Sequence, residues 1–420
     1  MKKIADSAKR ILTSNKFLVA WTIMYTLLLL CRTISQVCKK ELLIGDNYDF
    51  ADLFINYEGG FVRRGLLGEM LYGCYEMGIN PIWVAIVLAF AAYITIATYM
   101  IRQFCKRGYN ICLLTMSYLL GAFGMYGFTA MRRDYMILCV FLFLVTLWKR
   151  MSIRHWLCIA NVIVIVTILC YEPFALFAIP YCILLAHLRL KRWGMSVILW
   201  IPAFVAFAAC CMHPGNQETF DGIWNVAKNY LASPGIITFL TRDTGNVMWS
   251  HFSTNFLSFK HHIPVIFFTI PSILYLLYYC CNAAPVYCSR QDAWGSRRYV
   301  LALLLTGIIF LSPMLTVLSI DYGRTMGYVV LSGFIIYFSL SQEEVQSLLP
   351  QRMYLVADKV ISWCDAKVPP TRIKIVCLMI FSGMMYCTLL GLQAFLIQTE
   401  FVTVLQSAWR LFKRVYVYLN

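Results

Sequence analysis

Long apolar runs alternate with short polar segments along nearly the whole chain, and this alternation decides the fold class before any single residue is considered. The runs cover 17–35, 81–101, 111–129, 135–148, 156–171, 174–188, 195–212, 263–281, 299–318, 328–341 and 375–398. A straight helix needs about 20 residues to cross a bilayer, so the shorter runs must extend into flanking polar positions. The pattern predicts an all-α, polytopic transmembrane helical bundle of about eleven spans. Residues 1–420 are expected to form a single integral-membrane domain, with outer loops at 32–80 and 213–262 and a cytoplasmic loop at 342–374.

Basic residues orient the bundle. Lys2, Lys3, Lys9, Arg10 and Lys16 precede the first run, which places the N-terminus in the cytoplasm. Only Cys31-Arg32-Thr33 follows that run, with no small-residue cleavage site, so it is expected to be retained as a span. Alternation then brings Arg102 to Arg107, Lys149 to Arg154, Arg189 to Arg192, Arg290 to Arg298 and Arg352 to Lys374 to the same inner side. All six successive inner segments are basic. The tail, with Arg410, Lys413 and Arg414, falls outside and is expected as an interfacial amphipathic helix.

Composition removes competing classes. The chain is 60% hydrophobic and only 13% charged, about half the charge of a soluble domain, roughly 25%. Its net charge of +16 lies mostly in the inner loops, with no basic stripe interleaved with stacking aromatics, so nucleic acid is not expected as a partner. The 17 cysteines fall mainly inside apolar runs and lack metal-ligand spacing, so no metal or other cofactor is expected; Cys38 and Cys74 are either a pair or two free thiols.

The candidate chemistry lies on the outer side. Tyr48 to Tyr57 reads as a short amphipathic helix at the membrane surface, with Phe50, Leu53, Phe54 and Tyr57 on one face and Asp49 and Asp52 beside it. Asp46 precedes it, Glu58-Gly59-Gly60 ends it, and Arg63-Arg64 follows amid apolar residues and glycines. Adjacent arginines in such surroundings need an anionic partner, either internal (Glu58 or Glu69) or a phosphate. The other outer turns carry Arg132-Arg133-Asp134, Tyr171-Glu172-Pro173 and Asp321-Tyr322-Gly323-Arg324, and the 213–262 loop adds Arg242. Arginines that hold a pyrophosphate, beside a carboxylate able to accept a hydroxyl proton, suit glycosyl transfer from a polyprenyl-linked donor. No Gly-rich phosphate loop or soluble nucleotide-sugar domain is present.

On these features the chain resembles bacterial integral-membrane glycosyltransferases of the GT-C kind, including Wzy-type polymerases of O-antigen and capsule. The features are an acidic first outer loop (Asp46, Asp49, Asp52, Glu58), arginines at outer span ends (Arg63, Arg64, Arg132, Arg133, Arg324) and a large later outer loop. The resemblance implies a multi-pass enzyme of the bacterial inner membrane that polymerises surface-polysaccharide repeat units without a metal. Its partners would be undecaprenyl-(pyro)phosphate-linked saccharide donor and acceptor, the lipid bilayer and other polysaccharide-assembly proteins. It also implies a catalytic base among Asp46, Asp49 and Asp52, to which the pattern of the outer turns adds Glu58, Asp134, Glu172 and Asp321 as candidate catalytic carboxylates. Phosphate contacts would come from Arg63, Arg64, Arg132, Arg133, Arg242 and Arg324. The competing expectation is a flippase or transporter of lipid-linked saccharides, which needs a charged path through the membrane. A sugar acyltransferase would need a buried catalytic histidine, and His187 lies at an inner helix end.

Overall fold

A computed structural model of the chain describes residues 50–106, 133–231, 233–257, 293–318 and 322–367, with two isolated helical positions, Ala20 and Leu27. Every regular element among the described residues is helical. The apolar runs 17–35, 111–129, 263–281 and 375–398, and the basic tail, lie outside the described residues apart from Ala20 and Leu27.

The longer elements, in chain order, are α1 (Gly65–Glu76), α2 (Pro81–Lys106), α3 (Asp134–Arg150), α4 (Ile153–Cys170) and α5 (Phe174–Leu190). There follow α6 (Trp193–Ile198), α7 (Ile201–Met212), α8 (Gln217–Ala227), α9 (Thr244–Leu257), α10 (Ala293–Phe310) and α11 (Tyr322–Ser339). The last two are α12 (Gln342–Leu348) and α13 (Gln351–Lys367). Two helices, Pro81–Gln103 and Ile153–Cys170, are long and apolar enough to cross a membrane, and α5, α7 and parts of α10 and α11 are shorter apolar helices. The outward faces are apolar too: Val87, Val162 and Val205, on three different helices, are each more than 60% exposed.

The bundle core packs α3 against α2, α4, α5 and α11, and α10 against α5, α11 and α13. Indole groups lock the end formed by the α3–α4 turn: Trp148 Nε1 donates to Leu185 O at 3.1 Å and Trp156 Nε1 to Leu144 O at 3.0 Å. The basic residues Lys149, Arg150, Arg154, Arg189 and Arg192 lie at that same end, where Arg189 stacks over Trp148 at 4.4 Å. At the opposite end, the N-termini of α3, α5 and α11 meet the C-terminus of α4.

Three expectations are corrected. First, within the amphipathic surface helix expected at Tyr48 to Tyr57, of which Tyr48 and Asp49 lie outside the described residues, the helical part is a five-residue 3-10 turn, Phe50–Phe54, with all five residues buried. Its apolar side chains pack on α1, on α2 and on a second 3-10 turn, Gly235–Thr241, because the hydrophobic face meets protein instead of lipid. Second, the 195–212 run breaks into α6 and α7, since Pro202 at the start of α7 cannot continue a preceding helix. Third, the 342–374 connector contains α12 and α13, which fold back on α5 and α10. Ser341 starts α12 with a reciprocal cap: its Oγ accepts from Glu344 N at 3.2 Å and Glu344 Oε2 accepts from Ser341 N at 2.7 Å.

Helix α1 was not expected. It carries Gly65 and Gly68 where the backbone of 54–57 passes directly over it. A Cβ at Gly68 would lie 1.9 Å from Ile55 O, and one at Gly65 would lie 2.2 Å from the Tyr57 ring. Gly73, in the same helix, faces open space. Gly68→Ala is therefore expected to destabilise by about 1–3 kcal/mol, since backbone must move. Gly73→Ala should instead stabilise by roughly 0.5–1 kcal/mol. Thermal melts of the two variants in detergent check the pair, and equal shifts of the same sign would contradict the packing described.

Candidate functional site

The 3-10 turn, α1, α3 and the α4–α5 turn bring five charged side chains into one cluster. Arg64 is its centre. Its Nε lies 2.8 and 3.0 Å from the two oxygens of Glu172, its Nη2 donates to Glu172 Oε1 at 2.7 Å, and its Nη1 donates to Asp52 Oδ1 at 3.3 Å. The Tyr171 ring lies against the guanidinium, 4.8 Å from centroid to Cζ. Both the side-on bidentate pair and the aromatic contact suit arginine and not lysine. To make this reach, Arg64 adopts a left-handed backbone, φ 67°, at the N-terminal boundary of α1. A non-glycine residue held there costs on the order of 1 kcal/mol and is characteristic of functional sites.

Arg133 lies beneath Arg64 and is only 2% exposed. Its Nη1 donates to Arg64 O and to Cys170 O, and its Nε lies 3.4 Å from Asp52 Oδ2. It ties α3 to α1 and α4, and its buried Nη2 has no hydrogen-bond partner. Asp134 is also buried, and the Tyr328 hydroxyl of α11 donates to it. These two residues, expected to bind phosphate and to take part in catalysis, are enclosed as cross-links between helices. Arg63 differs. Its side chain is 30% exposed and its one ionic contact is Glu172 Oε1 at 3.9 Å, beyond hydrogen-bonding reach. Its backbone N–H is fixed on His213 O at 3.0 Å, at the end of α7.

Three guanidinium groups thus surround two carboxylates, at the meeting point of the N-termini of α1, α3 and α5. Helix N-termini carry partial positive charge, so the local field favours a further anion. The protonation behaviour agrees. Burial opposes ionisation of Glu172, but the charge and hydrogen bonds of Arg64, with the charge of Arg63, hold its carboxyl below the ordinary 4.5. Burial also opposes the charge on Arg64, yet Glu172 and Asp52 raise it well above its usual range. For Arg63 burial prevails: Glu172 compensates in part, the like charge of Arg64 works against it, and the net shift is downward. Arg63 is the under-compensated cation of the group. A carboxyl held below 4.5 in the folded state contributes stability that is complete above the unfolded value and lost as pH falls through the folded value. The melting temperature is therefore expected to hold steady from neutral pH to about 4.5 and to fall below it, with a shallower acid slope in Glu172→Gln. Parallel slopes in the two proteins would show that Glu172 is not so held.

The remaining expected residues fall elsewhere. Glu58 is exposed, with its side chain outside the cluster. Arg242 is exposed and stacks on Phe239 at 3.8 Å. Arg324 falls in the first turn of α11, at the cluster end of that helix. Asp46, Asp49, Arg132 and Asp321 lie outside the described residues. Neither internal partner expected for the Arg63-Arg64 pair is used: Glu69 accepts the Tyr57 N–H at 2.9 Å, and the arginines turn to Glu172, 108 residues away from Arg64. Tyr328 and the Cys170 carbonyl had no signal in the sequence, because a hydroxyl in an apolar run and a main-chain oxygen look ordinary until the fold aims them. No family model, curated protein or solved structure matches the chain.

Proposed function

We propose that this chain is a polytopic membrane glycosyltransferase, with an inner N-terminus and about eleven spans, whose ion cluster faces the outer leaflet of a bacterial inner membrane. It transfers saccharides from polyprenyl-(pyro)phosphate carriers, polymerising the repeat units of a surface polysaccharide. The observation that carries the reading is Arg63: a partly exposed guanidinium that makes no side-chain hydrogen bond among the described residues, on the rim of a pre-formed ionic cluster. The buried charged residues among those described, Asp52, Arg133, Asp134 and Glu172, all lie at that one end of the helices. This supports one-sided chemistry over a charged transmembrane path.

In this reading the acceptor hydroxyl attacks the anomeric carbon of the donor, and the bond from that carbon to the phosphate oxygen breaks. The leaving pyrophosphate keeps the electron pair, and Arg63 stabilises its charge. Glu172, held below the ordinary carboxyl value by Arg64 and Arg63, is a weak base, and Asp52 is engaged by Arg64 and Arg133, so the part of both is to hold Arg64 and, through it, the site. Asp46 and Asp49, just ahead of Asp52 in the chain, are the bases to be tested. The test is reconstitution of the full chain in lipid nanodiscs with a panel of undecaprenyl-pyrophosphate-linked oligosaccharides, read as a product ladder, alongside calorimetric titration with inorganic pyrophosphate. A ladder and saturable pyrophosphate binding are expected. Absence of both at millimolar ligand would refute the proposal.

A further inference from the structure

Beside Arg63, the outer surface carries an arrangement of rings and carboxylates that the ion cluster does not use. Tyr57 and Phe61 are stacked, with centroids 5.6 Å apart and planes 18° apart. Phe61 is 44% exposed and meets the edge of His213 at 5.1 Å. That histidine's carbonyl also fixes the Arg63 backbone, so the ring and the guanidinium share one support. On α1, Tyr72 and Tyr75 form a second stacked pair at 6.5 Å. Glu69 connects the two pairs. It accepts the Tyr57 N–H, and with Glu58 and Glu76 it acts on the Tyr72 hydroxyl, which desolvation and these carboxylates raise.

The platform is rigid. Tyr57 is pinned by its N–H on Glu69 and by close packing of its ring on Gly65. The segment just after it is clamped to α8, where a Cβ at Gly59 would meet Thr219 O at 2.4 Å and one at Gly222 would meet the Gly59 Cα at 2.5 Å. Exposed ring faces next to carboxylates are the chemistry that recognises a carbohydrate. The apolar face of a sugar packs its C–H bonds on a ring, and carboxylates accept its hydroxyls. An amphipathic helix lying in the lipid interface would instead carry lysine or arginine on its polar face. Helix α1 has Glu69 and Glu76 and no basic residue.

We infer that Phe61, with Tyr57 and the Tyr72–Tyr75 pair of α1, forms a saccharide-binding strip leading away from Arg63, and that Phe61 fixes how strongly the sugar is held. The inference rests on the transfer reading for the sugar's role, but not for its binding. The full chain in nanodiscs would be titrated with soluble methyl glycosides (a hexose, an N-acetylhexosamine, a deoxyhexose and a uronic acid) by saturation-transfer NMR, and separately with inorganic pyrophosphate. At least one glycoside is expected to bind. Phe61→Leu should weaken it about tenfold, an effect in the range of a lost ring contact. Phe61→Trp should keep it, and pyrophosphate binding should be the same in all three proteins. Tyr75→Leu, on an exposed helix face, gives a second measurement that does not depend on the loop.

Glycoside binding that is equal in wild type and Phe61→Leu overturns the strip, as does a panel in which nothing binds. Leucine retaining affinity while tryptophan loses it also counts against a ring platform. Absence of both pyrophosphate binding and a product ladder, beside a Phe61-dependent glycoside, removes the transfer reading and leaves the strip standing.

Discussion

Glu172→Ala is expected to lower the thermal midpoint of the detergent-solubilised protein by roughly 3–6 °C. Removing one partner of a buried ion pair costs about 3–5 kcal/mol, because the other charge stays behind without compensation. In a chain of this length each kcal/mol corresponds to about 1 °C. Glu172 engages Arg64 through three short contacts and also pairs with Arg63, so its loss leaves Asp52 to compensate both cations within the cluster. Arg64→Met combined with Glu172→Leu should recover much of the loss, since matched apolar replacement of a buried pair is often close to neutral. A single-variant shift below about 1 °C would mean that the pair is solvated and that the cluster does not hold the helices together.

Arg63→Ala is expected to behave in the opposite way: little change in melting, and a fall of about 10²–10³ in transfer rate. Its ion pair is long and partly exposed, which places its stability contribution at about 0–1 kcal/mol. The loss should appear in the product ladder as shortened or absent polymer, and in calorimetry as weakened pyrophosphate binding. Arg63→Lys keeps the charge but not the planar fork, so it should recover only part of the rate. Full polymer from Arg63→Ala would move the phosphate contact to another residue and remove the main support for the proposed chemistry.

The contrast between these neighbouring arginines shows what the sequence could and could not tell. That Arg63 and Arg64 need anionic partners follows from their apolar surroundings, and that charged groups gather at one end of the helices follows from counting the turns. Glu172 was a candidate, but nothing local connects it to Arg64, because the contact spans 108 positions and depends on how α1 lies on α4. Likewise the apolar period of Phe50, Leu53 and Phe54 marks a buried face correctly without saying what buries it, and the answer is protein. Helix α1 escaped notice because its glycines lower helix propensity, while their purpose, close backbone approach, belongs to tertiary packing. Arg133 looked like its neighbours in sequence and is set apart by burial alone.

The separation of Arg64 from Glu172 along the chain also bears on how the protein is made. At about 5–20 residues per second, the ribosome needs on the order of ten seconds to produce the carboxylate after the guanidinium has emerged. Through that interval a nascent chain carries Arg63 and Arg64 with their main counter-charge not yet synthesised, and Arg133 joins them before Glu172 arrives. The early helices therefore cannot settle into their final packing one by one. The cluster closes as a late assembly step, and a chain terminated ahead of Glu172 would leave Asp52 as the one carboxylate of the cluster facing three arginines.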